Sequence, residues 1–417
     1  MSFKLLTISS IYPGYIELFH SKNPNFRELS YQAYYKSIFE DSTEFAASYS
    51  KTYNKLGIDA KCIIANNPIL QDKWCVENNL RTKDRKSILL EQVKKHQPEV
   101  LFIEDLKLID KEWIKTVRNE IKSIKKIVAY HCAPYDSNKL EIIKQIDFLI
   151  TCTPGLKSDF EKFGIKTYSV YHGFDSELLP KINEMNLFQE NKIVFTGSLF
   201  TGDGYHKDRI ELIESILKEK IDISLYLNLQ QLWKIRAKQS IHFIHSFLKK
   251  INLDSLNKAI PLLENGLSTV KNYSKLLYKA NKPAIYGIEM YKLLANSNII
   301  LNNHGQVAGK YAGNMRLFEA TGVGSCLLTD NKTNMPELFE TNQEVVVYEG
   351  IEDCIQKMKW LLENEEERKK IAIAGQQRTL KHHRVEDRCK QMIEIIEKEI
   401  EATKEKPQIS KSYNKIS

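Results

Sequence analysis

The chain has 417 residues, 42% of them apolar and 27% charged, and a formal net charge of +8. That length suits two or three domains of about 100–200 residues. The composition excludes a largely disordered chain, a collagen-like chain and a small disulfide scaffold, and no apolar run reaches the roughly 20 residues of a membrane helix.

Strand and helix signals alternate through the first half. Phe3–Ser10 (FKLLTISS) reads as a strand, Phe26–Leu56 as a stretch of helical spacing ending at Gly57, and Asp59–Ala65 as a second strand. A charged helix is expected over Asp72–His96, closed by Pro98. Glu99–Glu104 is a strand, Lys111–Ile121 a helix and Lys126–Tyr130 a strand. Asp147–Cys152 and Lys166–Val170 complete the series. Short apolar runs separated by helices indicate parallel β/α units covered on both faces.

The alternation then restarts. Lys192–Thr196 is a strand breaking at Gly197, Asp208–Lys218 a helix and Asp222–Leu227 a strand. The block at about 228–282 looks almost entirely helical, with no strand signal, and Leu229–Ile251 and Leu256–Leu277 are both amphipathic. Strands follow at Asn298–Asn302, Ser325–Thr329 and Glu344–Tyr348, with a short helix at Arg316–Thr321. Ile351–Asn364, Glu366–His382 and Val385–Glu401 are helices. Two doubly wound units are therefore expected, over about 1–180 and 181–402, with a disordered tail at 403–417. The last helix is placed to pack back on the first unit. Ligands of such sheets bind beyond the carboxyl ends of the strands, and two facing units suggest a cleft between them.

Charge and cysteine usage narrow the partners. The cations comprise 50 Lys and only 11 Arg, a weak signature for base or phosphate-backbone reading, so a nucleic-acid partner is not expected. The seven cysteines form no CxxC pair, which points to reduced, buried thiols and no metal site. Met1–Ser10 lacks a charged segment followed by an apolar one, so a cytoplasmic protein is expected.

The residues after each strand are the site candidates. Gly14 follows the first strand, where a glycine admits a close ligand. His131 follows Lys126–Tyr130 and brings an imidazole to a strand end. Gly197 and Ser198 open a Gly-rich loop that carries Lys207 and Arg209, suited to an anion. The richest segment is Asn302–Gly324 (NNHGQVAGKYAGNMRLFEATGVG), which contains His304, Gly313, Asn314, Arg316 and Glu319. A helix opening near Gly313 would face a diphosphate, Arg316 would pair with phosphate, and Glu319 would accept from a ribose diol. The same two residues also fit a simple i,i+3 ion pair.

These segments resemble GT-B glycosyltransferases, and most closely the family 4-type, CgeB-like group. His131 resembles the cleft histidine of these enzymes, and Ile150–Asp175 their strand–helix–strand block. Val194–Ser198 resembles their Gly-containing strand, Tyr205–Glu211 a Y-x-R-hydrophobic-E segment, and Asn314–Gly322 the N-x-R-x-F-E-x-x-x-G segment. Glu319 falls on the second carboxylate of an E-x7-E motif, while Tyr311 stands where the first would be.

The resemblance implies two Rossmann-like domains facing a cleft, with the helical block as an insertion in the second. It implies a metal-independent, retaining transfer of a hexosyl-type sugar from a nucleotide-diphosphate sugar, with no resident cofactor. The acceptor would be a glycan, a lipid-linked molecule or a protein. An inverting enzyme would need a base near the acceptor, for which Glu17 and His20 are the candidates. The insertion is expected to serve interaction, by homo-oligomerisation or peripheral membrane contact. A GT-B nucleotide-sugar epimerase and a non-catalytic nucleotide- or glycan-binding protein remain alternatives.

Overall fold

The fold is given by a computed structural model that describes residues 3–183, 191–201, 206–253, 255 and 270–404. The chain divides into two compact units, Met1–Gly173 with Arg384–Ser417, and Phe174–His383.

Six parallel strands form the first unit's sheet: β1 (Lys4–Ser9), β2 (Asp59–Ile64), β3 (Val100–Ile103), β4 (Lys126–Tyr130), β5 (Phe148–Thr151) and β6 (Thr167–Ser169). Their spatial order is β2-β1-β3-β4-β5-β6. Successive side chains leave opposite faces of a strand, and both faces here are covered. Leu101 and Ile103 pack with Ile114 and Val117 of helix Lys111–Glu120. Val100 and Phe102 pack with Tyr49 and Tyr53 of helix Phe45–Lys55 and with Met392 and Ile396 of helix Val385–Lys404. That last helix is also tied to this unit by Glu399, which accepts from the Tyr168 hydroxyl at 2.5 Å.

Helix ends follow local chemistry. The stretch expected as one over Phe26–Leu56 divides into Tyr31–Asp41 and Phe45–Lys55, because Ser42 turns extended between them. The helix expected over Asp72–His96 is likewise two, Pro68–Glu77 and Arg85–His96. Asn67 and Asp84 cap them by accepting from Leu70 N and Ser87 N. The segment after β1 is a helix, Pro13–Lys22, with its proline in the first turn, where no donor is lost.

The second unit's sheet is also parallel: β7 (Asn191–Leu199), β8 (Ile223–Leu229), β9 (Asn281–Lys282), β10 (Ser297–Asn302), β11 (Cys326–Asp330) and β12 (Val346–Tyr348). Its order across the sheet is β9-β8-β7-β10-β11-β12. Chain order thus reverses between β7 and β10, and the crevice at such a reversal is where doubly wound sheets hold ligands. The block at 228–282 is not wholly helical. It holds helix Leu232–Lys250, helix Lys275–Ala280 and the strand β9. Two polar residues give β9 no apolar pattern to read. Of the helix expected over Leu256–Leu277, residues 256–269 lie outside the described residues. Ile235, Val270, Tyr273 and Leu277 from this block join the unit's main core.

Helix Arg316–Gly322 is seated by a close approach: a Cβ on Gly322 would lie 2.2 Å from the Phe174 ring. Among the described residues no helix is long and apolar enough to cross a membrane.

Candidate functional site

The site is built at the reversal between β7 and β10. Arg209, in the first turn of helix Lys207–Lys218, donates to the Ser198 carbonyl at the end of β7 (3.1 Å) and to the Asn303 carbonyl just past β10 (2.5 Å). The guanidinium thus bridges the two central strands. Phe195 lies under it, 5.9 Å from ring centroid to guanidinium carbon. Burial draws its pKa down to about 10, against the charge of Asp330, so it stays a cation at neutral pH. His206, with its pKa lowered to about 4 by burial and by Arg209, is neutral; its Nδ1 accepts from Phe200 N at 3.1 Å.

The loop after β10 is held just as tightly. Asn302 and Asn314 exchange side-chain hydrogen bonds (2.8 and 3.4 Å), fixing Asn314 beside the strand end. Asn303 donates to the Tyr348 hydroxyl (3.1 Å), which donates to the Asn302 carbonyl (2.9 Å). His304 is buried and donates from its backbone N and from Nδ1 to Asp330 Oδ1, at 2.9 and 2.7 Å. Burial works to raise the Asp330 pKa, but His304 and Lys332 hold it at about 2. Lys332 pairs with Asp330 Oδ2 at 3.2 Å.

Arg316 opens its helix, as its expected span of Arg316–Thr321 has it, and Gly313 and Asn314 precede the first turn. Its Nη1 pairs with Glu319 Oε2 at 2.8 Å, and the pair is buried, with side chains 14% and 8% exposed. The i,i+3 pair therefore exists, but it lies inside the protein. Tyr291 donates to Glu319 Oε1 at 3.3 Å. The charge of Arg316 acts on Arg209, placing the two guanidinium groups in one neighbourhood. Lys207 is not brought to it: its mostly exposed Nζ lies 3.9 Å from Glu211, one helical turn on. Gly202, Gly204 and Tyr205 of the Gly-rich loop lie outside the described residues.

The first unit carries the other candidates. His131, directly after β4, is buried, and its Nε2 has no hydrogen-bond partner among the described residues. Burial and Lys139 push its pKa down to about 4, so the ring is neutral at neutral pH and a poor proton acceptor. Gly14, Glu17 and His20 all belong to helix Pro13–Lys22. Glu17 is exposed. The ring of His20 stacks on Phe26 at 3.7 Å, and its Nε2 lies 2.6 Å from the Tyr34 hydroxyl. That ring is a packing element of an aromatic cluster.

Residues 253–394 match the family model described as glycosyl transferase-like. Solved structures align over nearly the whole chain. One is a glycosyltransferase from Rickettsia africae ESF-5, with TM-score 0.54, 11% identity, and coverage of 96% of this chain and 99% of that one. Another is Anabaena Alr3699/HepE in complex with UDP and glucose, with TM-score 0.54, 12% identity, and coverage of 95% and 99%. A third is sucrose-phosphate synthase from Thermosynechococcus elongatus, with TM-score 0.55, 10% identity, and coverage of 95% and 99%. The fold is GT-B. No curated protein matches the sequence.

Within this GT-B chain, several polar residues at strand ends carry no sequence signal beyond their position. Asp330 ends β11 and Lys332 lies two residues beyond it, and Glu104 and Asp105 follow β3. Glu104 accepts from Ser9 Oγ (2.6 Å) and Asp105 from Ser10 Oγ (2.7 Å), clasping the chain where it leaves β1. Glu44 accepts from Tyr12 N at 3.0 Å in the same clasp. Burial raises Glu104 to about 7 and Glu44 to about 8.

A raised carboxyl pKa favours the protonated group in the folded state. Its stabilisation is complete below the unfolded pKa and is lost as pH rises through the folded one. Glu104→Gln, which keeps an acceptor for Ser9, is therefore expected to match the native chain at about pH 4, below the unfolded pKa. By about pH 8 it should be the more stable by about 3 kcal/mol. Denaturant unfolding of both chains at the two pH values checks this, and a difference independent of pH would refute it.

Proposed function

We propose that the chain is a glycosyltransferase that moves a sugar from a nucleoside-diphosphate sugar to an acceptor, with the donor held by the Phe174–His383 unit. One observation carries the reading. Arg209 Nε, Arg316 Nε and His304 Nε2 are all buried without a hydrogen-bond partner among the described residues. Buried polar atoms are normally satisfied. Orphans on two guanidinium groups and an imidazole, at the reversal of a doubly wound sheet, fit a ligand rich in anionic oxygens. A diphosphate is such a ligand.

Cleavage of the sugar–phosphate bond leaves negative charge on the diphosphate. Arg209 and Arg316 would stabilise it as it develops, so the transfer is proposed to need no divalent metal. Glu319, with Asn314 nearby, is assigned to the nucleoside side. His131 is assigned a neutral hydrogen bond to a sugar hydroxyl. The likeness to Alr3699/HepE bound to UDP and glucose supports a uridine nucleotide and a hexose. A retaining outcome is favoured because His20 is engaged by Tyr34 and Phe26, which removes one of the two bases expected for inversion. The segment Asn314–Gly322 supports the CgeB-like placement.

A thermal-shift screen with UDP-, GDP-, ADP- and dTDP-sugars, followed by turnover without added Mg2+, tests the proposal. One nucleotide class should stabilise the chain. If none does, the reading falls. Binding without turnover on any acceptor would make the chain a binding protein, and conversion of the donor alone would make it an epimerase.

For the acceptor we infer a lipid-linked molecule at an anionic membrane surface. Helix Leu232–Lys250 exposes Leu232 (46%), Trp233 (65%), Phe243 (69%) and Phe247 (52%). It carries Lys234, Arg236, Lys238, Lys249 and Lys250, and no carboxylate. Apolar rings flanked by cations suit the headgroup region of anionic lipid. The chain should sediment with phosphatidylglycerol vesicles and not with phosphatidylcholine ones, and Phe243→Ser with Phe247→Ser should release it. Equal binding to both vesicle types, or a dimer formed through this helix without vesicle binding, would sink the idea.

A further inference from the structure

Three neighbouring strands of the first unit each deliver one metal-ligating side chain from just beyond their carboxyl ends. Cys132 lies two residues after β4, Cys152 one residue after β5, and His172 three residues after β6. The strands β4, β5 and β6 are adjacent and parallel, and Tyr130 pairs with Ile150, which sets Cys132 and Cys152 side by side. The ligand atoms of the three residues lie within 4.8 Å of one another. No CxxC spacing announces this cluster, because it is assembled by strand pairing across 40 residues of chain. The expectation of no metal site rested on linear spacing alone.

We propose that Cys132, Cys152 and His172 bind one zinc(II) ion, with a fourth position left to solvent. Two thiolates and an imidazole, with no carboxylate in the cluster, form a donor set of the kind zinc takes and hard cations such as Mg2+ do not. Tetrahedral zinc with these ligands needs them about 3.5–3.8 Å apart, which small side-chain rotations reach from the present arrangement.

The surroundings already have the features of a metal site's outer layer. Cys152 N donates to Cys132 Sγ at 2.9 Å, stabilising negative charge on that sulfur. The Tyr130 hydroxyl lies 3.2 Å from the Val170 carbonyl and 3.3 Å from His172 Nδ1, a polar neighbour that orients the imidazole.

The test needs no substrate, so it stands apart from the glycosyltransferase reading. The full chain is purified under reducing conditions without chelator, its zinc is counted by mass spectrometry, and the stripped chain is titrated with Zn2+ and Co2+ against a chromogenic chelator. One zinc per chain is expected. The Co2+ form should show tetrahedral ligand-field bands and thiolate charge-transfer absorption. Cys152→Ser should weaken Zn2+ binding at least ~100-fold, while Cys75→Ser, at a thiol outside the cluster, should leave it unchanged. No metal uptake by the native chain, a Co2+ form without charge-transfer absorption, or full-strength binding by Cys152→Ser would each overturn the proposal. The Co2+ spectrum of the native chain decides the matter even if a variant fails to fold.

Discussion

Arg209→Ala is expected to weaken nucleotide binding about 100-fold and to lower kcat/KM at least as much. A charge-assisted hydrogen bond to a buried anion contributes about 1.5–3 kcal/mol, and Arg209 can offer the diphosphate its Nε together with its charge. The guanidinium also bridges the Ser198 and Asn303 carbonyls. Arg209→Lys separates these roles. A lysine keeps the charge but loses the planar fork, so it cannot hold two carbonyls and a phosphate together. It should recover only part of the affinity. Calorimetric titration of the nucleotide found in the donor screen provides the measurement, with circular dichroism confirming that each variant is folded. Native affinity in Arg209→Ala would remove the diphosphate assignment.

How far the sequence could be read depends on what each residue's signal is. Apolar strands such as Val100–Ile103 are buried throughout and declare themselves by composition. Arg209, Arg316 and Glu319 stood out as candidates because each lies in a Gly-containing segment that follows a strand. Lys207 lies in the same segment, but the helix phase carries it to the exposed side, toward Glu211. Linear adjacency cannot report that phase. His20 was a candidate base by its position after the first strand alone, and its ring stacks on Phe26 in an aromatic cluster that position does not report. The strand β9 is two polar residues recruited by its partner, since Leu225 and Tyr226 of β8 pair with Asn281 and Lys282. The clasp of Glu44, Glu104 and Asp105 and the cluster of Cys132, Cys152 and His172 depend on strand order. No local pattern carries that information.

The second large effect is expected at the Arg316–Glu319 pair, where structure and binding can be separated. Removing one partner of a buried ion pair leaves the other charge uncompensated, at a cost of about 3–5 kcal/mol. Glu319→Ala also takes the acceptor from the Tyr291 hydroxyl. For a unit of this size, about 2–4 °C is lost per kcal/mol, so either single alanine variant should melt about 10 °C lower. The double variant Arg316→Met, Glu319→Gln removes both charges, and a neutralised pair is often as stable as the original. It should therefore regain most of the lost stability. Nucleotide affinity should not return with it, because the double variant lacks the cation assigned to phosphate and the carboxylate assigned to the nucleoside. If the pair served packing alone, affinity would follow stability and recover in the double variant. A double-mutant cycle of Arg316→Met and Glu319→Gln, singly and together, read out by both melting and nucleotide titration distinguishes the two, because only a ligand-binding pair restores the first while leaving the second impaired.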